Sequence, residues 1–418
     1  MSATLVEAPL LRLRAFRNLF VAGAVSQLGS QITYVALPLL AVTALGAGAG
    51  EVGLLSALAT LTALVIGLPA GAWVDRVRRR RLMIAMDAAR AVALLSVPVA
   101  WWAGTLSMAQ LYVVTVLVGA GSLLFDVASM SIVPGLVGRE RLTSANSLLV
   151  GTAAGMDVAG RSLAGVLAQV VGAPLAVLLD ALSYLWSAAW LRGVPEPALA
   201  GDGSPEAAES LRARIAAGVR FILCNRVLVA ALVQGTMANL AFPLCSVLLP
   251  VLIVGRLGYP EWVFGAYLAV GGLGVLAGSS SAHLLGRRFG TGRAVWVVSL
   301  ATAPAALVIP FLDAGPWLWA AAAAWFVLTF RTGVNNVLLV SLRQRVTPDH
   351  LLGRMTATMR LLLMGAVGLG GLLAGLLGEV WGVRAPLWAG AVIMAVSWLP
   401  IHFSALRRSG PNTAGRPY

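Results

Sequence analysis

One stretch of this sequence places an acid and a base four residues apart inside a long apolar run. Asp157 and Arg161 lie in the run 143–170, and residues four apart share one face of a helix, so the two side chains can pair. A charge deep in an apolar helix is costly, which makes a functional role the default hypothesis. We predict that Asp157 carries an exchangeable proton and that Arg161 meets a polar or anionic group of a ligand. The alternative is a neutralised pair that only holds two helices together.

Two further carboxylates interrupt apolar runs and are candidates for carrying a proton. Asp126 aligns with Asn335 when the two halves of the chain are compared, so both halves place a polar side chain there. Pairing with nearby loop arginines is the alternative for Asp126. Asp180 lies in another apolar run, and its alternative role is local capping or packing.

Amide, hydroxyl and guanidinium groups in the apolar runs predict a binding site of mixed polar and apolar character, which suits an organic compound. Gln27, Gln31 and Tyr34 form a polar strip at helical spacing in the first run. The residues that we expect to bind the compound are Arg161, Gln27, Gln31, Tyr34, Asn239, Arg331, Asn335, Asn336 and Arg360.

Long apolar helices are needed to position these side chains. The 418-residue chain is 59% hydrophobic and 11% charged, whereas soluble proteins carry about 25% charged residues. Its apolar runs are long enough to cross a bilayer and predict an all-α membrane protein with twelve transmembrane helices. These helices are expected at 19–46, 52–74, 82–104, 109–133, 143–170, 173–192, 228–255, 262–285, 294–313, 316–341, 355–380 and 385–405.

The basic residues are distributed as in a multi-pass membrane protein. All 30 are arginines, and the formal net charge is +14. Most of them fall in segments on one side of the predicted helices, and such segments are cytoplasmic. We therefore expect a protein of the cytoplasmic (inner) membrane with both termini in the cytoplasm. This distribution argues against a basic face that binds nucleic acid.

The sequence does not indicate other kinds of site. It has no P-loop for ATP hydrolysis and no G-x-S-x-G turn for a serine nucleophile. Its three histidines and two cysteines are scattered, which favours neither a metal site nor a disulfide. We expect no enzymatic activity, no cofactor and no metal. The expected partners of a monomeric protein are a small organic molecule, protons and the lipid bilayer.

The two halves of the chain are related in sequence. Gly160–Gly172 matches Gly370–Gly382 at seven of thirteen positions, which predicts two six-helix repeats in the same orientation. A polar segment between them places Leu211, Ile215, Val219 and Ile222 at helical spacing and predicts an amphipathic interfacial helix. The expected domains are an N-terminal bundle at 1–192, a cytoplasmic linker at 193–226, and a C-terminal bundle with a short tail at 227–418.

A cluster of charge lies between the second and third predicted helices. Five arginines stand in the six positions 76–81, directly after Asp75. Arginines alone suffice to anchor the topology, but they do not explain an acid at the membrane edge. Asp75 can pair with the arginines or face the N-terminus of a neighbouring helix. The residues of interest here are Gly71, Asp75, Arg76, Arg79, Arg80, Asp87 and Arg90, the last two completing the charge network from the third helix.

This run resembles the loop signature of the major facilitator superfamily, roughly G-x-L-a-D-R-x-G-R-R/K. Gly71, Asp75, Arg76, Arg79 and Arg80 match, while Trp73 and Arg78 depart from it. The resemblance implies that the loop, with its Asp against the eleventh helix, latches one conformation of a transport cycle. We therefore expect the seven residues named above to form a conformational gate.

Further runs are similar to the drug-exporter branch that contains macrolide-efflux and enterobactin-export proteins. They begin at Phe125-Asp126, Pro134-Gly135, Ala173-Pro174 and Arg343-Gln344-Arg345. The resemblance implies a secondary transporter that exports a small amphipathic compound, a drug or a metabolite, by proton antiport. A siderophore or another product of the same cell is an alternative substrate. Import, or a membrane sensor without flux, are alternative functions.

The sequence departs from that branch in the fifth helix. The branch commonly carries Gly-Pro there, whereas this chain has Gly160-Arg161. The substitution predicts an unusual substrate with an anionic group for Arg161.

Overall fold

The computed structural model describes residues 10–74, 76–196 and 211–408. Within these ranges the chain forms helices joined by short loops, without a strand. The helices are α1 Arg14–Leu45, α2 Ala49–Val74, α3 Arg79–Trp102, α4 Met108–Val137, α5 Leu142–Val171, α6 Ala173–Leu191, α7 Leu211–Cys224, α8 Arg226–Ser246, α9 Glu261–Phe289, α10 Thr291–Ala301, α11 Ala303–Ala306, α12 Pro316–Val346, α13 Asp349–Trp381, α14 Arg384–Val396 and α15 Leu399–His402.

Many of these helices are long and apolar enough to cross a membrane. Among the described residues there are ten such helices, and an eleventh if the bent pair Thr291–Ala301 and Ala303–Phe311 counts as one span. α5 is 30 residues long as well, and about 20 residues suffice to cross. The all-α membrane architecture is therefore confirmed, whereas the number twelve stays a prediction.

Several helices extend beyond the predicted spans at their charged ends. α3 begins at Arg79 and α13 at Asp349, although the apolar runs predict 82 and 355 as their starts. α12 continues to Val346. Hydropathy detects the part of a helix that lies in lipid, but the hydrogen-bonded helix continues past it.

Three predicted spans are interrupted near prolines. Pro250, Pro304 and Pro400 each lack the backbone N–H that would continue the preceding helix. α8 accordingly ends at Ser246 and is followed by a π-helical turn at Val251–Arg256. α10 and α11 meet at a bend of 42°, and α14 ends at Val396 before α15 begins.

The chain forms two compact units. Unit 1 comprises residues 1–45 and 62–204, and unit 2 comprises residues 46–61 and 205–418. The division therefore falls inside α2. In unit 1, α6 packs on α1 and α3, and α1 also packs on α5. The core of unit 1 includes Phe16, Met83 and Ile132.

In unit 2, the main helix pairs are α9 with α12 and α8 with α13. Gly274 and Gly278 allow α9 and α12 to approach closely, because a side chain at either position would collide with the backbone at Phe330 or the Thr329 hydroxyl. A helix, α7, is present where the amphipathic pattern predicts one. Its Ile222 packs on Met355 and Met359 of α13.

Candidate functional site

The acid and base predicted to pair on α5 form an ion pair in the structure. Arg161 Nη2 lies 2.7 Å from Asp157 Oδ1, and the side chains remain 27% and 39% exposed, respectively. The Arg161 Nε donates to Gln31 Oε1 at 3.2 Å, and its guanidinium lies 4.9 Å from the centre of the Tyr34 ring. The structure thus brings together four of the predicted site residues from two helices, and we call this group the Arg161 cluster.

Local packing of α1 against α5 explains how this cluster forms. Gly160 has no side chain, and a Cβ there would press on the Gln31 side chain and the Leu28 carbonyl. α5 therefore approaches α1 closely at the residue before Arg161. Gln31 and Tyr34 lie three residues apart and share a face, so both reach the guanidinium.

The other predicted residues of α1 and α4 lie outside these contacts. Gln27 is half-buried one turn before Gln31 and extends the polar face along α1. Asp126 is exposed on α4, whereas the ion pair and hydrogen bond of Arg161 described above are made to Asp157 and Gln31.

Asp87 and Arg90, predicted to complete the charge network of the loop, lie inside the bundle of unit 1. Both are buried and form an ion pair with each other, while Arg90 also donates to Ser122 Oγ at 3.0 Å. The guanidinium stacks on Tyr184 of α6 at 4.1 Å. Asp87 is two turns into α3, where that helix packs on α6, and this position directs the pair into the bundle instead of towards the loop.

Asp180 belongs to the same buried region. It is fully buried on α6, and its Oδ1 accepts a hydrogen bond from Ser183 Oγ at 3.0 Å. It lies against α1, because a Cβ on Gly29 would collide with Asp180 and Ser183. This position is separate from the Arg161 cluster.

The two arginines at the start of α3 contact α4 and the segment that follows α6. Arg79 Nη1 donates to the Ser131 carbonyl at 3.2 Å, and Arg80 donates to the Val194 carbonyl at 3.0 Å. Arg80 also lies 3.5 Å from Glu196 Oε2. Gly71 lies in the last turn of α2 and Arg76 is exposed, whereas Asp75 lies outside the described residues.

The polar residues predicted on unit 2 are dispersed. Arg331 is only 1% exposed, and it donates to the Met394 carbonyl at 3.0 Å and to Ser397 Oγ. Asn335 is buried one turn later, while Asn336 and Arg360 are exposed. Asn239 donates back to the Gly235 carbonyl of its own helix at 2.8 Å.

The placement of Arg331 follows from the break after α14. A helix leaves its last carbonyls without intrahelical partners, and a cation near that end is favourable. Arg331 supplies donors to this end from α12. Its hydrogen bonds to Met394 and Ser397 therefore satisfy this helix end.

Sequence reasoning missed two acids that make long-range contacts. Glu196 lies just after the sixth helix and pairs with Arg80. Because it is the first acidic residue after that helix, its position could have suggested a partner among the arginines at 76–81. Glu379 of α13 accepts from the backbone N–H of Gly50 at 3.1 Å and so caps the start of α2. No sequence pattern indicates that second contact.

Comparison with known proteins decides the family. The family model described as the Major Facilitator Superfamily matches residues 19–368, which is most of the chain. This chain belongs to the major facilitator superfamily. Membership confirms the predicted fold class and makes the protein a multi-pass membrane transporter.

Individual members of the superfamily agree with this assignment. The multidrug efflux pump Tap of Mycolicibacterium fortuitum is 29% identical over 374 residues, covering 86% of this chain and 88% of Tap. A bacterial homologue of the iron transporter ferroportin in an inward-facing state is 18% identical, with a TM-score of 0.74 and coverage of 95% and 100%. A bacterial homologue of the human lysosomal transporter Spinster is 12% identical, with a TM-score of 0.75 and coverage of 96% and 98%. The two structures show the shared fold alone.

Proposed function

We propose that this transporter exports a small amphipathic organic compound across the cytoplasmic membrane in exchange for protons. The observation that carries the proposal is the Arg161 cluster. It combines a proton acceptor, a cation, an amide and an aromatic ring on partly exposed faces of two helices. Tap, a relative over most of its length, is named a multidrug efflux pump, which supports outward movement of drug-like molecules.

Exchange follows from competition for Arg161. When Asp157 is ionised, its carboxylate occupies Arg161 Nη2. Protonation of Asp157 removes the negative charge and weakens that pair, while Gln31 and Tyr34 still hold the guanidinium. An anionic or acceptor group of the compound competes with the ionised carboxylate for Arg161 and displaces it in the outward-moving state. Once the compound has left, a proton on Asp157 keeps the pair from forming again during the return, so compound-bound and protonated states alternate.

The energies involved allow such competition. A partly exposed ion pair contributes about 0–1 kcal/mol, whereas a ligand that binds with a micromolar Kd gains about 8 kcal/mol. Substrate binding can therefore displace the Asp157 carboxylate. A fully buried pair would cost several kcal/mol to break and would suit this role less well.

The residues around Arg161 suit an amphipathic compound. Tyr34 is 54% exposed, and its ring offers a flat surface for an aromatic or apolar part. The amides of Gln27 and Gln31 offer both donors and acceptors. We expect the loop with Asp75, Arg76, Arg79 and Arg80 to bias the gate between conformations, with Glu196 as an additional partner of Arg80.

Transport by purified protein in proteoliposomes tests this function. The panel contains ethidium as an amphipathic cation, 8-anilinonaphthalene-1-sulfonate (ANS) as an amphipathic anion, and a hydroxamate siderophore. We expect movement of at least one compound that depends on an imposed pH gradient, with ANS favoured because of its sulfonate. Binding without movement of any compound would contradict export and favour a sensor without flux.

A matched control is available on the exposed surface. Asp313 Oδ2 and Arg384 Nη2 lie 2.5 Å apart, and the backbone N–H of Ala314, together with Arg384, holds the pKa of Asp313 below its ordinary value. Asp313 is therefore ionised at neutral pH, like an acid in any exposed pair. Asp313→Asn removes such a pair outside the proposed site and should leave transport unchanged.

A further inference from the structure

The interior of unit 1 holds a second set of ionisable groups that the exchange at Arg161 does not use. Asp87 and Asp180 are fully buried, and Arg90 is 2% exposed. Arg90 pairs with Asp87 and stacks on the rings of Tyr184 and Phe125. We call Asp87, Arg90, Asp180 and Tyr184 the buried network.

The charges of this network do not balance. Two carboxylates and one guanidinium give a net charge of −1 when all three are ionised. The Arg90 guanidinium is already paired with Asp87. Among the described residues, no cation lies within salt-bridge distance of Asp180. An uncompensated buried charge costs several kcal/mol. Binding of one proton removes the imbalance.

Asp180 is the group that can hold this proton. Its Oδ1 accepts from Ser183, while its Oδ2 has no hydrogen-bond partner among the described residues. The Thr33 hydroxyl faces the same carboxyl. A protonated carboxyl both donates and accepts, so it fits beside hydroxyls better than an ionised one does.

The groups around Asp180 come from every helix that packs against it. α3 contributes the charged groups Asp87 and Arg90, which act on it electrostatically. α6 contributes Tyr184, and α1 contributes the hydroxyl of Thr33. α5 also packs on α6, but its ionisable pair bonds within α5 and to α1.

α1 connects the buried network to the Arg161 cluster. Gly29 lies against Asp180 and Ser183, and the hydroxyl groups of Ser30 and Tyr184 are 2.9 Å apart. The next residue, Gln31, accepts from Arg161. Gly29, Ser30 and Gln31 follow one another in α1, and between them they contact both the buried network and the Arg161 cluster. A change of charge at Asp180 therefore acts on the backbone that positions Gln31.

We propose that the buried network binds one exchangeable proton on Asp180 and that α1 transmits its state to Arg161. This site is additional to Asp157. The transmission to Arg161 rests on the proposed function, whereas the proton itself does not. The two claims therefore need separate readouts.

Infrared difference spectra of the purified protein, taken between acidic and alkaline buffers, test for the proton. We expect a carboxylic-acid C=O band that disappears as the pH rises, in the wild type, in Asp157→Asn and in the surface control Asp313→Asn. Asp180→Asn should lack the component of this band that remains in Asp157→Asn. An identical band in Asp180→Asn, a band that does not change with pH, or no acid band in the wild type would overturn the proposal. The last result would favour a bound metal cation or a bare carboxylate.

A second variant keeps the test decisive. Asparagine resembles a protonated aspartic acid in shape and charge, so Asp180→Asn should fold. If it does not, Ser183→Ala retains the carboxyl but removes its donor, and the midpoint of the band should move. An unmoved midpoint would contradict the assignment to Asp180.

ANS binding across pH then tests the transmission to Arg161. The wild-type Kd should change over the pH range in which the infrared band disappears, and Asp180→Asn should lose that change while it retains the one due to Asp157. A Kd that follows pH identically in both proteins contradicts the transmission. Because the infrared band does not depend on transport, failure of export and failure of the proton site remain distinguishable.

Discussion

Three arginines inside the membrane-spanning helices differ in what they bond and in how far a ligand can reach them. Arg90 and Arg331 are buried against an acid or a helix end. Arg161 has 27% of its side chain exposed and is held by groups of three kinds. Exposure with a defined orientation is the condition for binding a ligand by a charge, and Arg161 meets it.

Lysine at position 161 should reduce transport while preserving the charge. A lysine ammonium keeps the attraction to Asp157 but lacks the planar fork that bonds Gln31 and Asp157 together and stacks on Tyr34. We expect Arg161→Lys to lower the rate of ANS transport by roughly tenfold, about 1.4 kcal/mol, and Arg161→Gly to lower it further. Arg384→Lys in the exposed pair is the matched control. Unchanged transport by Arg161→Gly at normal protein level would contradict a role for this residue.

At this scale the sequence predicts pairs within a helix better than contacts between helices. The spacing of Asp157 and Arg161 predicts their ion pair, and the structure contains it. Gln31 and Tyr34 could be proposed as polar site residues, but their contact with Arg161 depends on the close approach at Gly160. The spacing of Asp87 and Arg90 allows their pairing to be predicted. The spacing does not show that this side of α3 packs against α6.

Small residues determine how closely the helices pack. In unit 2 the start of α2 lies against α13, where Gly53 meets the backbone of Gly375. Glu379 caps the same end of α2 through Gly50. Small residues at a crossing are what membrane helices use for close packing, so this contact is sensitive to added volume.

A single methyl group should test that contact. A Cβ at position 53 collides with the Gly375 backbone, whereas a Cβ at Gly365 of α13 has no atom within 4 Å. We expect Gly53→Ala to lower the melting temperature of the detergent-solubilised protein, at a cost of about 1–3 kcal/mol from overpacking. Gly365→Ala should have no such effect. Equal melting temperatures for the two variants would contradict the close crossing.

Substitutions of Arg331 should separate a structural role from a ligand-binding one. Lysine retains the buried charge but lacks the forked guanidinium, whose two terminal nitrogens bond Met394 and Ser397 separately. We therefore expect Arg331→Lys to lose about 2–3 kcal/mol of stability. Methionine removes the buried charge together with its bonds and should cost less. Neither variant should change the Kd of ANS in protein that remains folded. A weaker Kd in both would instead place Arg331 in the binding site.

The sequence predicts helices well but their ends and breaks less well. Hydropathy falls at charged residues, so it missed the first turns of α3 and α13. Prolines were visible, yet a proline inside an apolar run does not say whether the helix bends or stops. Pro38 lies within α1, whereas Pro400 follows a break, and the difference lies in the surrounding packing.

For the molecule as a whole, composition and charge placement carry most of the sequence information. The apolar content and the arginine-rich loops predict a multi-pass membrane protein, and the family match confirms this. The grouping of residues 46–61 with unit 2 could not be read from helix order. It depends on contacts between segments far apart in the chain.

Topology reporters test the predicted orientation. Twelve spans and cytoplasmic arginine loops predict that reporters fused after residue 192 and at the C-terminus are both active only on the cytoplasmic side. A reporter after Gly104 should be active on the outer side. A C-terminal reporter active outside would mean an odd number of spans and would contradict the two six-helix repeats.

Proton movement during transport tests the central claim most directly. A pH-sensitive dye inside proteoliposomes would follow wild type, Asp157→Asn and the control Asp313→Asn during ANS transport. The account predicts substrate-dependent proton movement in the wild type and in Asp313→Asn. It predicts loss of at least about 90% of that movement in Asp157→Asn, a tenfold effect of about 1.4 kcal/mol, with ANS binding retained. Equal proton movement in wild type and Asp157→Asn would contradict exchange at the Asp157–Arg161 pair.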